Sequence, residues 1–420
     1  MHTVLMIAFH YPPVQGSSGV QRTLRFSQHL SKFGWEPIVL TVTPGAYEAT
    51  AEAEGNEVPA GVTVERAFGL DTTRHLALFG RYPRRFALPD RWATWKPFAV
   101  AKALTVLKAR HVDVVWSTFP IATAHAIALE VAARSGLPWI AEFRDPLWQG
   151  DYPPDPRVNR SWRQLEHEIF ERAERVVVTT PSAADLYAER YPAYRRERIQ
   201  LIENGYDEET FDRATVVTQN SGIRDGARRP VTLLHSGVVY PSERDPTCLF
   251  RAVASLKRLG RVTAESFQIV LRASGHDSLY RDELARLDIR DIVRLEPGLD
   301  YLRALQEMLA ADGLLILQAA NCNAQVPAKL YEYLRAARPI VALTDPAGDT
   351  ARTLRATGAA IIAPLDSDVE IEKALMRFIR QVDEHSWQPP AMDVVRRYSR
   401  KEQTGQLAAL LGDVLPGRRN

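Results

Sequence analysis

The segment from Gly313 to Leu343 constrains the fold of this 420-residue chain more than any other. An apolar run, Gly313 to Leu317, leads through a polar loop at Asn321-Cys322-Asn323 into Gln325-Val326-Pro327-Ala328-Lys329-Leu330-Tyr331-Glu332-Tyr333-Leu334, and a second apolar run spans Pro339 to Leu343. Proline suits a first helical turn, where its missing N–H costs nothing, so the spacing predicts a helix that starts after Pro327. Pro339 stops it. Leu330, Tyr333, Leu334 and Ala337 fall on one face, and Lys329 and Glu332, three residues apart, share another. Strand, loop, helix and strand make one αβ unit of a parallel sheet. Ligands bind such sheets at the carboxyl ends of strands, where helix N-termini point. A lysine there suits a phosphate, and a carboxylate suits a pair of sugar hydroxyls. On an arbitrary helix the same two residues would form a solvated pair of small worth.

The same alternation runs through the rest of the chain. Val4 to Phe9 reads as a buried strand. A loop containing Gly16 and Gly19 follows, then a helix carrying Leu24, Phe26, Leu30 and Phe33 that ends at Gly34, then a strand at Ile38 to Val42. Glycines let a backbone approach a ligand, and the next helix favours an anion. The Gly-x-Gly-x-x-Gly spacing of dinucleotide sites is absent. Further strands are expected at Val112–Trp116, at Trp139–Phe143, which ends in Arg144-Asp145-Pro146, and at Val176–Thr179. Arg144 and Asp145, adjacent opposite charges followed by proline at a strand end, suit a surface turn. A polar stretch without a period is expected to link residues 1–210 to a second block, as a linker over 211–229. That block, 230–390, begins with a strand at Val231–Leu234 and the loop His235-Ser236-Gly237. Gly237 would let a diphosphate lie close to the backbone, and the planar guanidinium of Arg244 suits phosphate. Two successive blocks of strand–helix alternation predict an α/β protein with two doubly wound parallel sheets.

Composition narrows the function classes. Hydrophobic residues make up 45% and charged residues 25%, as in soluble globular proteins. Two cysteines without metal spacing argue against a disulfide scaffold or a zinc site, and no metal site is expected. The first residues lack a basic leader, and no apolar run approaches the roughly 20 residues of a membrane-spanning helix, so a cytoplasmic protein is expected. One segment, 74–110, mixes nine Lys and Arg residues with Leu76, Leu78, Phe79, Tyr82, Phe86, Trp92, Trp95 and Phe98. Such a mixture suits an anionic membrane surface, with nucleic acid as the second reading and snorkelling arginines on an ordinary surface helix as the plain one.

Pro327 to Leu334 resembles a Pro-x-Lys-x-x-Glu-Tyr-Leu signature found in a subgroup of the family-4 retaining glycosyltransferases. The phrase Glu142-Phe143-Arg144-Asp145-Pro146 also resembles a loop of that subgroup. The resemblance implies the GT-B fold, two Rossmann-like domains facing a central cleft, with a final helix in 391–420 crossing back to the first domain. It implies transfer of a sugar from a nucleotide diphosphate sugar to a hydroxyl of a glycan, lipid-linked or small-molecule acceptor, in surface polysaccharide or glycolipid synthesis. No separate cofactor and no nucleic-acid partner are expected, and lipid-linked acceptors would place the protein at the inner face of a membrane. Glu332 would hold the donor ribose, with Leu330 beside it. Arg244 and Lys329 would neutralise the diphosphate, and Gly16, Gly19 and Gly237 would line the site. Arg144 would orient a phosphate or the acceptor, and Asp145 would accept a hydrogen bond from a sugar hydroxyl or take the acceptor proton. Many family members carry a second glutamate where this chain has Ala324; Asn323 and Gln325 are the candidate substitutes. A sugar-nucleotide epimerase and a non-catalytic sugar-nucleotide-binding protein are the alternatives.

Overall fold

A computed structural model describes residues 1–15, 19–50, 58–79, 81–220, 229–358 and 360–417. Two compact units emerge: residues 1–203 with 400–420, and residues 204–399.

The first unit holds a seven-stranded sheet. Its strands are β1 (His2–Ile7), β2 (Trp35–Val42), β3 (Thr63–Ala67), β4 (Val114–Thr118), β5 (Trp139–Phe143), β6 (Arg175–Val178) and β7 (Ile199–Leu201). Their order is β3-β2-β1-β4-β5-β6-β7, and every pairing is parallel. The order reverses between β1 and β4, which makes their carboxyl ends the switch point where such sheets bind ligands. The glycine loop leads into a helix at Gly19–His29. A short 3-10 turn, Leu30–Phe33, follows and stops at Gly34 in the left-handed conformation that glycine adopts at no steric cost.

The second unit holds β8 (Val231–Ser236), β9 (Phe267–Arg272), β10 (Val293–Glu296), β11 (Gly313–Gln318), β12 (Ile340–Thr344) and β13 (Ala360–Ala363), in the order β10-β9-β8-β11-β12-β13, again all parallel. Strand periodicity divides its core. Leu315, Leu317, Val341 and Leu343 face one hydrophobic cluster, while Leu314, Ile316, Ile340 and Ala342 face the other. The helix Lys329–Ala336 packs into the second cluster through Leu330, Tyr331, Tyr333 and Leu334, all wholly buried. Full burial of each such side chain stabilises by about 1.5–3 kcal/mol. Ala337, expected on this face, instead ends the helix in the left-handed conformation.

The switch point of this sheet lies between β8 and β11, so His235, Ser236 and Gln318 stand at it. Two expectations need correction. A helix at Glu208–Asn220 occupies much of the stretch read as a linker and belongs to the second unit; residues 221–228 lie outside the described range. The C-terminal stretch is two helices, Met392–Arg396 and Arg400–Asp413, and only the second falls in the first unit.

Candidate functional site

In the second unit, Lys329 is the first residue of its helix, one turn before Glu332. Its Nζ lies 3.0 Å from Nε2 of His235, the penultimate residue of β8. Gly237, just past the strand, has φ +112°, and a Cβ placed there would stand 3.1 Å from Lys329 Nζ. The glycine therefore makes room for an ammonium group. The amides of Ser236, Gly237 and Val239 already donate to Tyr333 Oη, the Arg272 carbonyl and the Ser274 carbonyl at 2.8–3.0 Å. Close approach at Gly237 thus serves Lys329, whereas the sequence suggested that it served a phosphate on the backbone.

Arg244 sits on the loop after β8. Its Nη1 donates to the Val238 carbonyl at 2.5 Å, and its guanidinium lies 5.2 Å from the centre of the Tyr240 ring. Burial first, then the Arg244 charge, pulls the Lys329 amine down from the usual lysine range to about 7, with Glu332 opposing. The Arg244 charge disfavours a second cation at Lys329, and an anion beside them would relieve that repulsion. Glu332 is half-buried, and its Oε1 accepts from Tyr301 Oη at 2.8 Å. Arg244, Lys329 and Glu332 thus gather at one end of the sheet, as the sequence suggested. Leu330 is corrected: its side chain is core and its amide donates to the Pro327 carbonyl, so it seats the helix from below.

The loop after β11 is tied down by Gln318, which is buried. Its Nε2 donates to the carbonyls of Cys322 and Gln325, both at 2.9 Å. Asn323 donates through Nδ2 to Asp345 at 2.5 Å, and its carbonyl accepts from the Asp349 amide. That engages Asn323 with the loop after β12.

In the first unit, Arg144 Nη1 donates to the carbonyl of Gly19, the first residue of its helix, at 3.0 Å. Asp145 beside it is exposed. Arg144, Gly19, His10, Thr23, Thr118 and Ile121 belong to the lining of a shallow pocket at the β1/β4 switch point, with room for about one water. Burial, then the Arg144 charge, lowers His10 to about 4, so its imidazole is neutral at ordinary pH. Gly16 lies outside the described residues. Beneath Arg144, a wholly buried ion pair joins Arg22 to Glu142 at 2.8 Å. The sequence reading missed this pair, His235, Gln318 and Tyr301. Arg22 shares its buried helix face with Thr23, Ser27 and His29 as well as apolar residues, so nothing local singled it out; His235 was read only as a loop position, and Gln318 was not singled out.

Among the described residues, no group of three or more His, Cys, Asp or Glu side chains could hold a metal ion, and no helix is long and apolar enough to cross a membrane.

Residues 18–205 match the family model of the glycosyl transferase 4-like domain. No curated protein sequence gives a significant match. Among solved structures, Anabaena HepE in complex with UDP is similar over 98% of this chain and 100% of its own, with a TM-score of 0.65 and 15% identity. WaaG, a glycosyltransferase involved in lipopolysaccharide biosynthesis, is similar over 99% of this chain and 100% of its own, with a TM-score of 0.61 and 15% identity. A UDP-forming α,α-trehalose-phosphate synthase from Burkholderia xenovorans is similar over 98% and 100%, with a TM-score of 0.68 and 12% identity. The chain has the GT-B fold of these proteins.

Proposed function

We propose that this protein is a retaining glycosyltransferase that moves a sugar from a nucleotide diphosphate sugar to a hydroxyl acceptor. The observation that carries the reading is Lys329 Nζ standing 3.0 Å from His235 at the carboxyl end of β8, in the first turn of the helix that also carries Glu332, with the Arg244 charge acting on it. The match of residues 18–205 to the glycosyl transferase 4-like model supports it. Lys329 and Arg244 bind the diphosphate, and Glu332 accepts from the ribose hydroxyls once Tyr301 yields. The bond between the anomeric carbon and the phosphate oxygen breaks, and the acceptor oxygen bonds to that carbon on the same face. The acceptor proton passes to the departing diphosphate. Negative charge grows on the leaving group in the transition state, and fixed cations stabilise it there without reorganising. This chemistry asks no metal of the protein.

A panel of UDP-, GDP- and ADP-sugars tested by thermal shift identifies the donor, because a ligand at a hundred times its Kd stabilises by about 2.7 kcal/mol. Release of the nucleoside diphosphate should then need an acceptor. Equal release with and without one would favour the epimerase, and failure of every donor to bind would end the reading.

The acceptor we propose is lipid-linked, met at an anionic membrane surface. The structure narrows the basic-aromatic segment that suggests this. Trp95 is wholly buried, and Lys96 and Lys102 pair with Glu130 and Glu65, so the part from Trp95 onward is ordinary helix packing. The part before it differs. Leu78 and Arg81 exchange two backbone hydrogen bonds in a tight turn that leaves Leu78 71% and Phe79 95% exposed. No acidic residue occurs from Thr72 to Pro89, while Arg74, Arg81, Arg84 and Arg85 do. Apolar tips among cations suit insertion at an anionic interface, each cation near it contributing about 1 kcal/mol. Leu78→Ser with Phe79→Ser should lower affinity for phosphatidylserine vesicles at least a hundredfold, the loss expected when two apolar side chains worth about 1.5–3 kcal/mol each are withdrawn from the interface. Equal recovery with neutral and anionic vesicles would remove the membrane from the proposal.

A further inference from the structure

The reaction as written uses Lys329 but not the histidine that touches it. His235 is 1% exposed and bonded at both ring nitrogens. Nδ1 lies 2.9 Å from the Leu315 carbonyl on β11. A carbonyl only accepts, so Nδ1 carries the ring proton and Nε2 the lone pair. An ammonium only donates, so the 3.0 Å contact runs from Lys329 Nζ to Nε2. The ring stays neutral, because burial and then the Lys329 charge hold it well below the ordinary histidine value, with Arg244 adding to this. The ring is thus fixed from one side by strand β11 and presents a lone pair on the other.

That lone pair decides where the ammonium points. A lysine amine on a four-carbon stem has three donors and no preferred direction. With one N–H spent on His235, and with the Gly237 backbone beneath it, the remaining donors have little freedom. The glycine belongs to the same device: any Cβ at 237 would crowd Nζ at 3.1 Å and would need φ +112°.

We propose that His235 is a positioning residue of the nucleotide site, clamping the Lys329 amine over Gly237 so that its two other N–H groups meet the diphosphate. This rests on the reading of the site as a diphosphate site. The clamp has a second effect. The groups acting on the Lys329 amine are Arg244 from the loop after β8, Glu332 from its own helix and His235 from β8. Burial and Arg244 favour the neutral amine and Glu332 the charged one. The His235 lone pair accepts a stronger hydrogen bond from an ammonium than from a neutral amine, so it favours the charged form too. Removing it should lower the pH at which the ammonium is lost, and nucleotide affinity, which needs that charge, should fade at a lower pH.

The test is UDP, GDP and ADP binding by calorimetry to the full chain between pH 5.5 and 9. Wild-type affinity for the preferred nucleotide should fall as pH rises past about 7, where the free amine loses its proton. His235→Asn keeps a donor for the Leu315 carbonyl but places no acceptor at Lys329. It should weaken binding at pH 7.5 about tenfold, the effect of one lost hydrogen bond to a charged group, and shift the falling limb about one pH unit lower. His235→Gln returns an amide oxygen to the Nε2 side and should recover part of both. A histidine that only filled space would change thermal stability and leave the position of the limb untouched. His235→Asn with wild-type affinity and an unmoved limb would overturn the clamp alone. If the wild type bound none of the three nucleotides, the diphosphate reading would fall and the clamp with it.

Discussion

Lys329→Met should weaken donor binding about a hundredfold and stabilise the protein. The two effects come from one fact: the amine sits where a folded protein gains nothing from a charge. Burial and Arg244 draw it from 10.5 to about 7. Each unit of such a shift corresponds to about 1.36 kcal/mol. Partial exposure of the side chain screens some of that, and the lost hydrogen bond to His235 returns about 1 kcal/mol. A net gain of about 1–2 kcal/mol at pH 6–7 remains. The sign follows from the charged form being the disfavoured one. Below about 7 both folded and unfolded chains carry the proton, and the cost is fully present. Between about 7 and 10.5 the folded amine has shed its proton and the unfolded one has not, so stability rises with pH there. Above that range the amine is neutral in both states and the cost is gone. The advantage of Lys329→Met should therefore be largest in mildly acidic buffer and shrink toward alkaline pH. Donor affinity should meanwhile drop about a hundredfold, the upper range for one charge-assisted contact. Thermal melts across pH and calorimetry with the preferred nucleotide sugar measure both. A variant that lost stability in acid and kept its affinity would show that Lys329 is a structural cation. A residue retained at a cost to the fold is what a binding site requires.

The second sheet was readable because its central strands are buried on both faces. Gly313 to Leu317 and Pro339 to Leu343 therefore appear as unbroken apolar runs. The strands that escaped notice are edge strands or short ones. β3 has four half-buried residues in five, β7 has three residues, and β13 alternates buried and half-buried positions over four. The helix Glu208–Asn220 escaped for another reason. Its burial depends on tertiary neighbours such as Arg335, which donates to Glu208 at 2.7 Å and lies over the Phe211 ring. Lys329 and Glu332 could be singled out because they lie within one turn of one helix. His235 is separated from Lys329 by 94 positions, so nothing local marks it. Only the pairing of β8 with β11 brings its ring to the Leu315 carbonyl and its lone pair to the amine.

Arg22 and Glu142 lie 120 positions apart and are each wholly buried. Arg22 Nε and Nη2 both donate to Glu142 Oε1, at 2.9 and 2.8 Å. Nη1 and Nη2 also reach the carbonyls of Glu203 and Ile202, at 2.6 and 2.7 Å. Thr118 Oγ1 donates to the other carboxylate oxygen at 2.8 Å. The pair thus ties the helix Gly19–His29 to the ends of β4 and β5 and to the chain leaving β7. Desolvating two charges offsets most of their attraction, so the intact pair contributes little by itself; breaking it is what costs. Arg22→Met should strip Glu142 of its counter-charge and leave two carbonyls unpaired, at about 3–5 kcal/mol. For a unit of this size that lowers the melting temperature by roughly 10 °C. Glu142→Leu should do comparable harm by leaving a buried guanidinium near Arg144, whose charge Arg22 already disfavours. The double variant Arg22→Met with Glu142→Leu should be markedly more stable than either single one, because no uncompensated charge remains. Urea denaturation of the four proteins gives the coupling energy directly. Additive losses would mean that the two residues act independently and that the pair does not organise the end of the sheet. The double variant also separates architecture from chemistry: on the proposed reading, if it recovers stability but Arg144 no longer holds the Gly19 carbonyl, transfer should stay impaired while nucleotide binding, which that reading assigns to the second unit, should be unchanged.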